Sequence, residues 1–242
     1  GNPGAAATLA GKAMAGWPPK PAGSPPQKNN GGMKQNTTPM GGGQPADRGR
    51  LSGNGFELDV IDVHGKGGVA HRVEGADLSS LPNICGTEVH AVIDVPWRNK
   101  LTSMNTAQHI ISAVADELWG GRTVGNQIGF ERTRIDIGFE DKGQFDVTPL
   151  QDGVNELIAR GGDVTMGFSP RAELLDNPLV RVNMNLIPAH IDMLRVITID
   201  GVDICPCAGT HVDDINQIGP LEITRVRSKG AGKLRVEYIL NE

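Results

Sequence analysis

One stretch, Asn105–Leu118 (NTAQHIISAVADEL), constrains this chain more than any other. Apolar residues recur at 107, 110, 111, 114, 115 and 118, the spacing of one helix face. The pattern predicts a helix from Thr106 to Leu118, with Asn105 as its N-cap and Trp119-Gly120-Gly121 as its end. The rest of the chain reads mostly as short strands. Phe56–Val63 (FELDVIDV) alternates apolar and acidic with period two, and Val69–Val73 returns after a glycine turn, so the two predict a hairpin. Glu88–Val95 reads as a further strand. So do Arg122–Gly129, Thr133–Phe139, Asp163–Phe168, Val180–Leu186 and Leu194–Asp200. Ile218–Val226 and Lys233–Leu240 close the chain as an antiparallel pair. A second helix is predicted over Asp146–Arg160 and a helical turn over Pro170–Leu175. No βαβ unit repeats, so the class is α+β rather than doubly wound.

Three segments follow from this reading. Residues 1–32 are rich in Gly, Pro, Ala and Asn, and Trp17-Pro18-Pro19 opens a run that no helix interior or central strand accepts. An irregular tail is expected there, with arginine absent and only Ser24 against a transit peptide. A first residue other than Met is expected of a processed or cloned terminus. Residues 33–95 read as a small antiparallel β-barrel or sheet, and residues 96–242 as an α+β domain with packed helices. His64, His71 and His90 fall on different turns or strands of the small domain and read as surface or structural residues.

Composition narrows the function. The formal net charge of −5 argues against a non-specific nucleic-acid binder and leaves room for a local basic groove. Three cysteines, two of them one residue apart, argue against a disulfide framework and for a reducing, cytoplasmic compartment. No apolar run approaches the roughly 18 residues of a membrane helix, so a soluble chain is expected. Gly41-Gly42-Gly43-Gln44 lacks the lysine and Ser/Thr of a phosphate-binding P-loop, which disfavours nucleotide binding.

Chemistry gathers at two distant stretches. Cys207-x-x-x-His211, with Gly209 for a tight turn, offers a thiolate and an imidazole to one point. His109 on the predicted helix adds a second imidazole, and such a set suits zinc. Cys205 shares the face of Cys207 in an extended strand and is an alternative ligand or a packing residue.

These residues carry a resemblance. NTAQHIISAV resembles the His-Thr-Ala-x-His-Leu-Leu stretch of the alanyl-tRNA synthetase editing domain family. ICPCAGTHVDDINQIGPLEI looks like that family's Cys-Gly-Gly-Thr-His-Val segment with its trailing Ile-Gly. The stretch Gly41–Gly49 is similar to the glycine motif of its N-terminal barrel domain. The matches fall in the family's order and cover about residues 33–242, a length that leaves no room for an aminoacylation domain. The closest resemblance is thus to the free-standing AlaX-type trans-editing proteins.

The resemblance implies hydrolysis of mischarged alanine tRNA, with serine or glycine removed by cleaving the aminoacyl ester. It implies a zinc ion held by residues 105, 109, 207 and 211. Here His109, Cys207 and His211 match and Asn105 departs, an amide where the family has an imidazole. The family's discriminating pocket falls at Val124–Gly129, so Asn126 and Gln127 become candidates for substrate binding, with Thr210 and Gln44 as further lining residues. A positive rim for tRNA is expected from Arg122, Arg132, Arg134, Arg195, Arg225, Arg227, Lys229 and Lys233. The changed ligand leaves two other readings open: a relative that binds aminoacyl-tRNA without hydrolysis, and a hydrolase of another aminoacyl ester.

Overall fold

The computed structural model describes residues 37–241 except 54, 66–68, 75–87, 176, 178–179, 182–183, 185–186 and 231. The expected tail over 1–32 lies outside the described residues. Strands β1 (Gly49–Gly53), β2 (Phe56–His64), β3 (Ala70–Glu74) and β4 (His90–Ile93) form one antiparallel sheet in the order β3-β2-β1-β4. The hairpin expected from the alternation of Phe56–Val63 is β2–β3. Among the described residues the sheet is open, with β3 and β4 as its edges. Its inner face packs Ala46, Val60 and Val63 with Leu51 and Val73. The first strand, β1, lies just past the glycine-rich stretch and had no apolar run to announce it.

The long helix α1 runs over Val95–Trp119, eleven residues earlier at its start than the apolar periodicity predicts. Asp94, not Asn105, is the N-cap: its carboxylate accepts from Trp97 N at 3.0 Å, and Pro96 occupies the first turn, where its missing N–H costs nothing. Asn105 therefore lies mid-helix, and the strand expected over Glu88–Val95 ends at Ile93. At the other end Gly120 takes a left-handed φ of 64°, which closes the helix as expected.

Beneath α1 lies a second antiparallel sheet of β5 (Arg122–Gln127), β6 (Thr133–Gly138), β10 (Leu221–Ser228) and β11 (Lys233–Leu240), in the order β10-β11-β6-β5. Helix α2 (Val147–Arg160), capped by Asp146, packs on α1 and β10. A third sheet, β7-β8-β9, comprises Val164–Pro170, Met193–Ile199 and Asp203–Pro206, with the short α3 (Arg171–Leu175) after β7. The strand expected over Val180–Leu186 is replaced, in its described residues, by a single bridge from Val180 to Ile204. The next residue, Arg181, turns inward to two carboxylates, which ends the extended run.

The main core joins α1, α2, the β5-β6-β11-β10 sheet and the Ile197 and Ile199 side chains of β8. From Met104 to Ala115 every residue of α1 is buried, polar ones included. A helix buried on all sides must find partners for Asn105, Thr106, Gln108, His109 and Ser112. Those partners make the site.

Candidate metal centre

His109, Cys207 and His211 present ligand atoms that lie within 4.8 Å of one another. His109 comes from α1; Cys207 and His211 come from the turn that follows β9. The two rings meet edge to face with centroids 4.7 Å apart. The turn is held by Arg195, whose guanidinium donates to the carbonyls of Cys207 at 2.7 Å and Gly209 at 2.8 Å. Gly209 is required there: a Cβ would run into Asn105 Nδ2 and stand 2.6 Å from Gln44 Oε1.

Hydrogen-bond accounting fixes the tautomers. His109 Nδ1 lies 2.8 Å from Asp203 Oδ2, and a carboxylate only accepts, so Nδ1 carries the proton. Asp203 is held in turn by Arg181, 2.9 Å from Oδ1, and Arg181 also binds Asp116 at 2.9 Å. Thr106 Oγ1 donates to Thr102 O at 2.9 Å, so its 3.2 Å contact with His211 Nδ1 is accepted from the ring. Both imidazoles thus turn Nε2 toward Cys207, and His211 Nε2 lies 3.3 Å from its sulfur. Burial opposes charge on Cys207, but the adjoining His109 and His211 rings pull the thiol down to about 4. Burial likewise opposes charge on His109, and the neighbouring cysteine sulfurs and Asp203 outweigh it, so its pKa rises well above the usual value. Burial lowers His211. Two imidazole nitrogens of fixed tautomer and a thiolate are a donor set that zinc accepts, and a carboxylate behind a ligating histidine is the usual support.

Asn105 is 1 % exposed and faces the same cluster. Its Nδ2 donates to Gln44 Oε1 at 3.2 Å and to Thr210 O at 3.3 Å, and lies 3.3 Å from His211 Nε2. The amide hydrogens are committed to those two acceptors, so the nitrogen side, not a lone pair, faces the ligands. Among the described residues Asn105 Oδ1 is buried without a partner. Cys205 lies on the face of Cys207, with its sulfur 3.5 Å from Pro206 O, and burial pushes its thiol up.

The other sequence candidates separate. Gln44 is 3 % exposed; its Nε2 donates to Thr210 Oγ1 at 2.9 Å and its Oε1 accepts from Thr210 N at 3.0 Å. Thr210 Oγ1 meets Thr102 Oγ1 at 2.6 Å. Asn126 donates to Gly42 O at 3.3 Å and Gln108 Oε1 at 3.0 Å, which ties the glycine loop to α1. Gly43 has φ 85°, and a Cβ there would run into Asn126 Oδ1. Gln127 stands apart: it is exposed and accepts from Arg134 at 2.8 Å. Of the expected rim, Arg122 pairs with Asp116, and Arg132 and Arg227 approach Glu237. Arg225, Lys229 and Lys233 lie exposed along the β10–β11 hairpin. A concavity of about 590 Å³, lined by Trp119, Arg122, Phe139 and Lys233, lies away from the cluster.

The sequence missed Asp203, Arg181 and Gln108. Asp203 follows Gly201-Val202 and passes for a turn residue; its pairing across 94 residues has no local signal.

Comparison with known proteins fits this arrangement. Residues 194–237 match the family described as the threonyl and alanyl tRNA synthetase second additional domain, which takes in Cys207 and His211. The chain is 30 % identical over 209 residues to the alanyl-tRNA editing protein AlaX-M of Methanosarcina barkeri, with 84 % of each chain covered. The chain belongs to the AlaX family of alanyl-tRNA editing proteins. It is also 30 % identical over 200 residues to AlaX-L of Pyrococcus horikoshii, of which it spans 48 %. It resembles the alanine–tRNA ligase of Methanosphaera stadtmanae at 30 % over 212 residues, 23 % of that enzyme. The AlaX membership thus rests on both ends of the site, since the aligned share reaches well beyond the matched domain.

Proposed function

We propose that this chain is a zinc-dependent aminoacyl-tRNA deacylase, acting in trans in the cytoplasm on alanine tRNA mischarged with serine or glycine. The observation that carries the reading is the pair of imidazoles whose tautomers are fixed with Nε2 toward the Cys207 thiolate. His109, Cys207 and His211 would hold the zinc, a three-ligand set that leaves a position for water or substrate. Bound there, the metal supplies Lewis-acid polarisation of an ester carbonyl or a water of lowered pKa.

The chain's own groups do the rest. Asp203 holds the His109 proton on Nδ1, with Arg181 fixing the carboxylate. Arg195 fixes the backbone that carries Cys207. Gln44, Asn105 and Thr210 close one side of the cluster with a neutral hydrogen-bonded wall. Asn126 has both amide hydrogens in use, so its remaining capacity is that of an acceptor, which suits a substrate hydroxyl or ammonium. A site that binds serine through a hydroxyl rejects alanine, because the acceptor is then left unpaired.

Elemental analysis of protein expressed in zinc-replete medium should find about one zinc per chain. Deacylation of Ser-, Gly- and Ala-charged alanine tRNA should show release of serine or glycine and sparing of alanine. Zinc far below stoichiometry, or no release at high enzyme, overturns the reading.

A further inference from the structure

The β7-β8-β9 sheet has two faces. One turns Leu194, Val196 and Ile204 into a small cluster with Leu174 and Met184. The other turns Ile197, Ile199, Asp203 and Cys207 toward α1. Residues directly opposite in an antiparallel ladder share a face. Phe168 is opposite Arg195, and Cys207 N donates to Arg195 O at 3.2 Å, continuing the β8–β9 register. Phe168, Arg195 and Cys207 therefore form one row on the α1 side, and two strand spacings put Phe168 about 10 Å from Cys207.

α1 lies over β9, where His109 meets Asp203 and Asn105 meets Cys207. Of this sheet's three strands, α1 packs most extensively on β9. Val164 on that face of β7 packs on the main core, but toward Pro170 the face is open: Met166 is 44 % and Phe168 67 % exposed, and Met193, opposite Pro170, is 55 % exposed. An apolar shelf thus begins where the helix cover stops. Arg195 stands between shelf and cluster. Its hydrogen bonds go to two carbonyls, and no carboxylate pairs with it among the described residues; the anion beside it is the Cys207 sulfur.

We propose that this shelf seats the 3′-terminal nucleotide of the RNA whose ester reaches the cluster, with the base stacked on Phe168 and the charge of Arg195 drawing the phosphate. The assignment rests on the aminoacyl-tRNA reading above. A terminal adenosine carries the aminoacyl ester on its own ribose, so base and ester lie a single nucleotide apart, as Phe168 and Cys207 do. An exposed aromatic beside a cation is the usual composition of a single-strand stacking site.

The test uses the full chain and uncharged alanine-tRNA acceptor-stem minihelices ending in CCA or in CC. Wild type should bind the CCA end about 10-fold tighter, the scale of one stacked base. Phe168→Ala should erase that difference, Phe168→Trp should restore it, and both melting curves should match wild type because the side chain is exposed. In deacylation, Phe168→Ala should raise KM and leave kcat near wild type. Equal binding of CCA and CC by wild type, or discrimination that survives Phe168→Ala, overturns the proposal. If light scattering shows that Phe168→Ala instead converts a dimer to a monomer with discrimination intact, the shelf seats a second copy and the proposal falls. Should discrimination depend on Phe168 while no charged tRNA is hydrolysed, the shelf stands and the deacylase reading is what fails.

Discussion

His109 and Asn105 stand one turn apart on α1, 3 % and 1 % exposed, and face the same thiolate. Their supports are opposite in kind. Behind His109 runs a charged relay, Asp203 to Arg181 to Asp116. Around Asn105 are neutral groups, the Gln44 amide and the Thr210 carbonyl. A buried cation is stable only where negative charge or lone pairs face it. The His109 half of the centre is built to hold one, and the Asn105 half is built as a wall. Two positions with the same helical spacing and the same burial thus have different chemistry, and the difference lies in the residues behind them.

The comparison breaks most sharply at Asp203. Asp203→Asn leaves Arg181 with one buried carboxylate fewer and His109 without its proton acceptor. Zinc affinity should fall 10- to 100-fold in competition with a chelator, and unfolding free energy should drop by about 3 kcal/mol in urea. Unchanged zinc affinity would mean that the carboxylate supports the fold alone.

Proton release sharpens the same half. The raised pKa of His109 favours a second proton in the metal-free protein, and that proton leaves when Nε2 takes a metal. Zinc affinity should therefore rise with pH and weaken as pH falls through the acid range. Calorimetry in buffers of different ionisation enthalpy should count close to one proton per zinc, because Cys207, at about 4, is already a thiolate. Asp203→Asn should cut that count.

Gly209→Ala tests the wall. The added methyl runs into Asn105 and Gln44, and overpacking of this kind costs about 1–3 kcal/mol. Thermal melting reads the cost, and zinc affinity should fall less than in Asp203→Asn. The smallest effect on the fold is expected from Asn105→His, which gives up hydrogen bonds worth about 1 kcal/mol each and restores an imidazole. Zinc binding should tighten on the order of tenfold. If affinity does not move, residue 105 lies outside the metal's reach.

Much of this was legible in the chain. The candidate ligands His109, Cys207 and His211 sit in local motifs, and strands β6 and β11 follow their apolar alternation. The start of α1 was not, since the predicted start at Thr106 lies eleven residues inside the helix; the signal lay in Asp94 followed by Pro96. Asn126 and Gln127 looked alike in sequence. The register shift between Thr123 and Gly125 decides between them, placing Asn126 opposite buried Ile135 and Gln127 opposite Arg134. Arg195 read as a surface cation, whereas its guanidinium braces the ligand turn. Such pairings are long-range, and nothing in the neighbouring residues encodes them.

Gln44 belongs to the segment that leads into the N-terminal sheet, yet it holds Asn105 on α1 and Thr210 beside His211. The centre is therefore a joint and not a property of either part. A fragment cut at the Asp94 hinge would keep all three ligands and lose the clasp that sets their spacing. Any fusion or shortening of this chain has to preserve that clasp, because the geometry of the cluster and the docking of the N-terminal segment are one structural event seen from two sides.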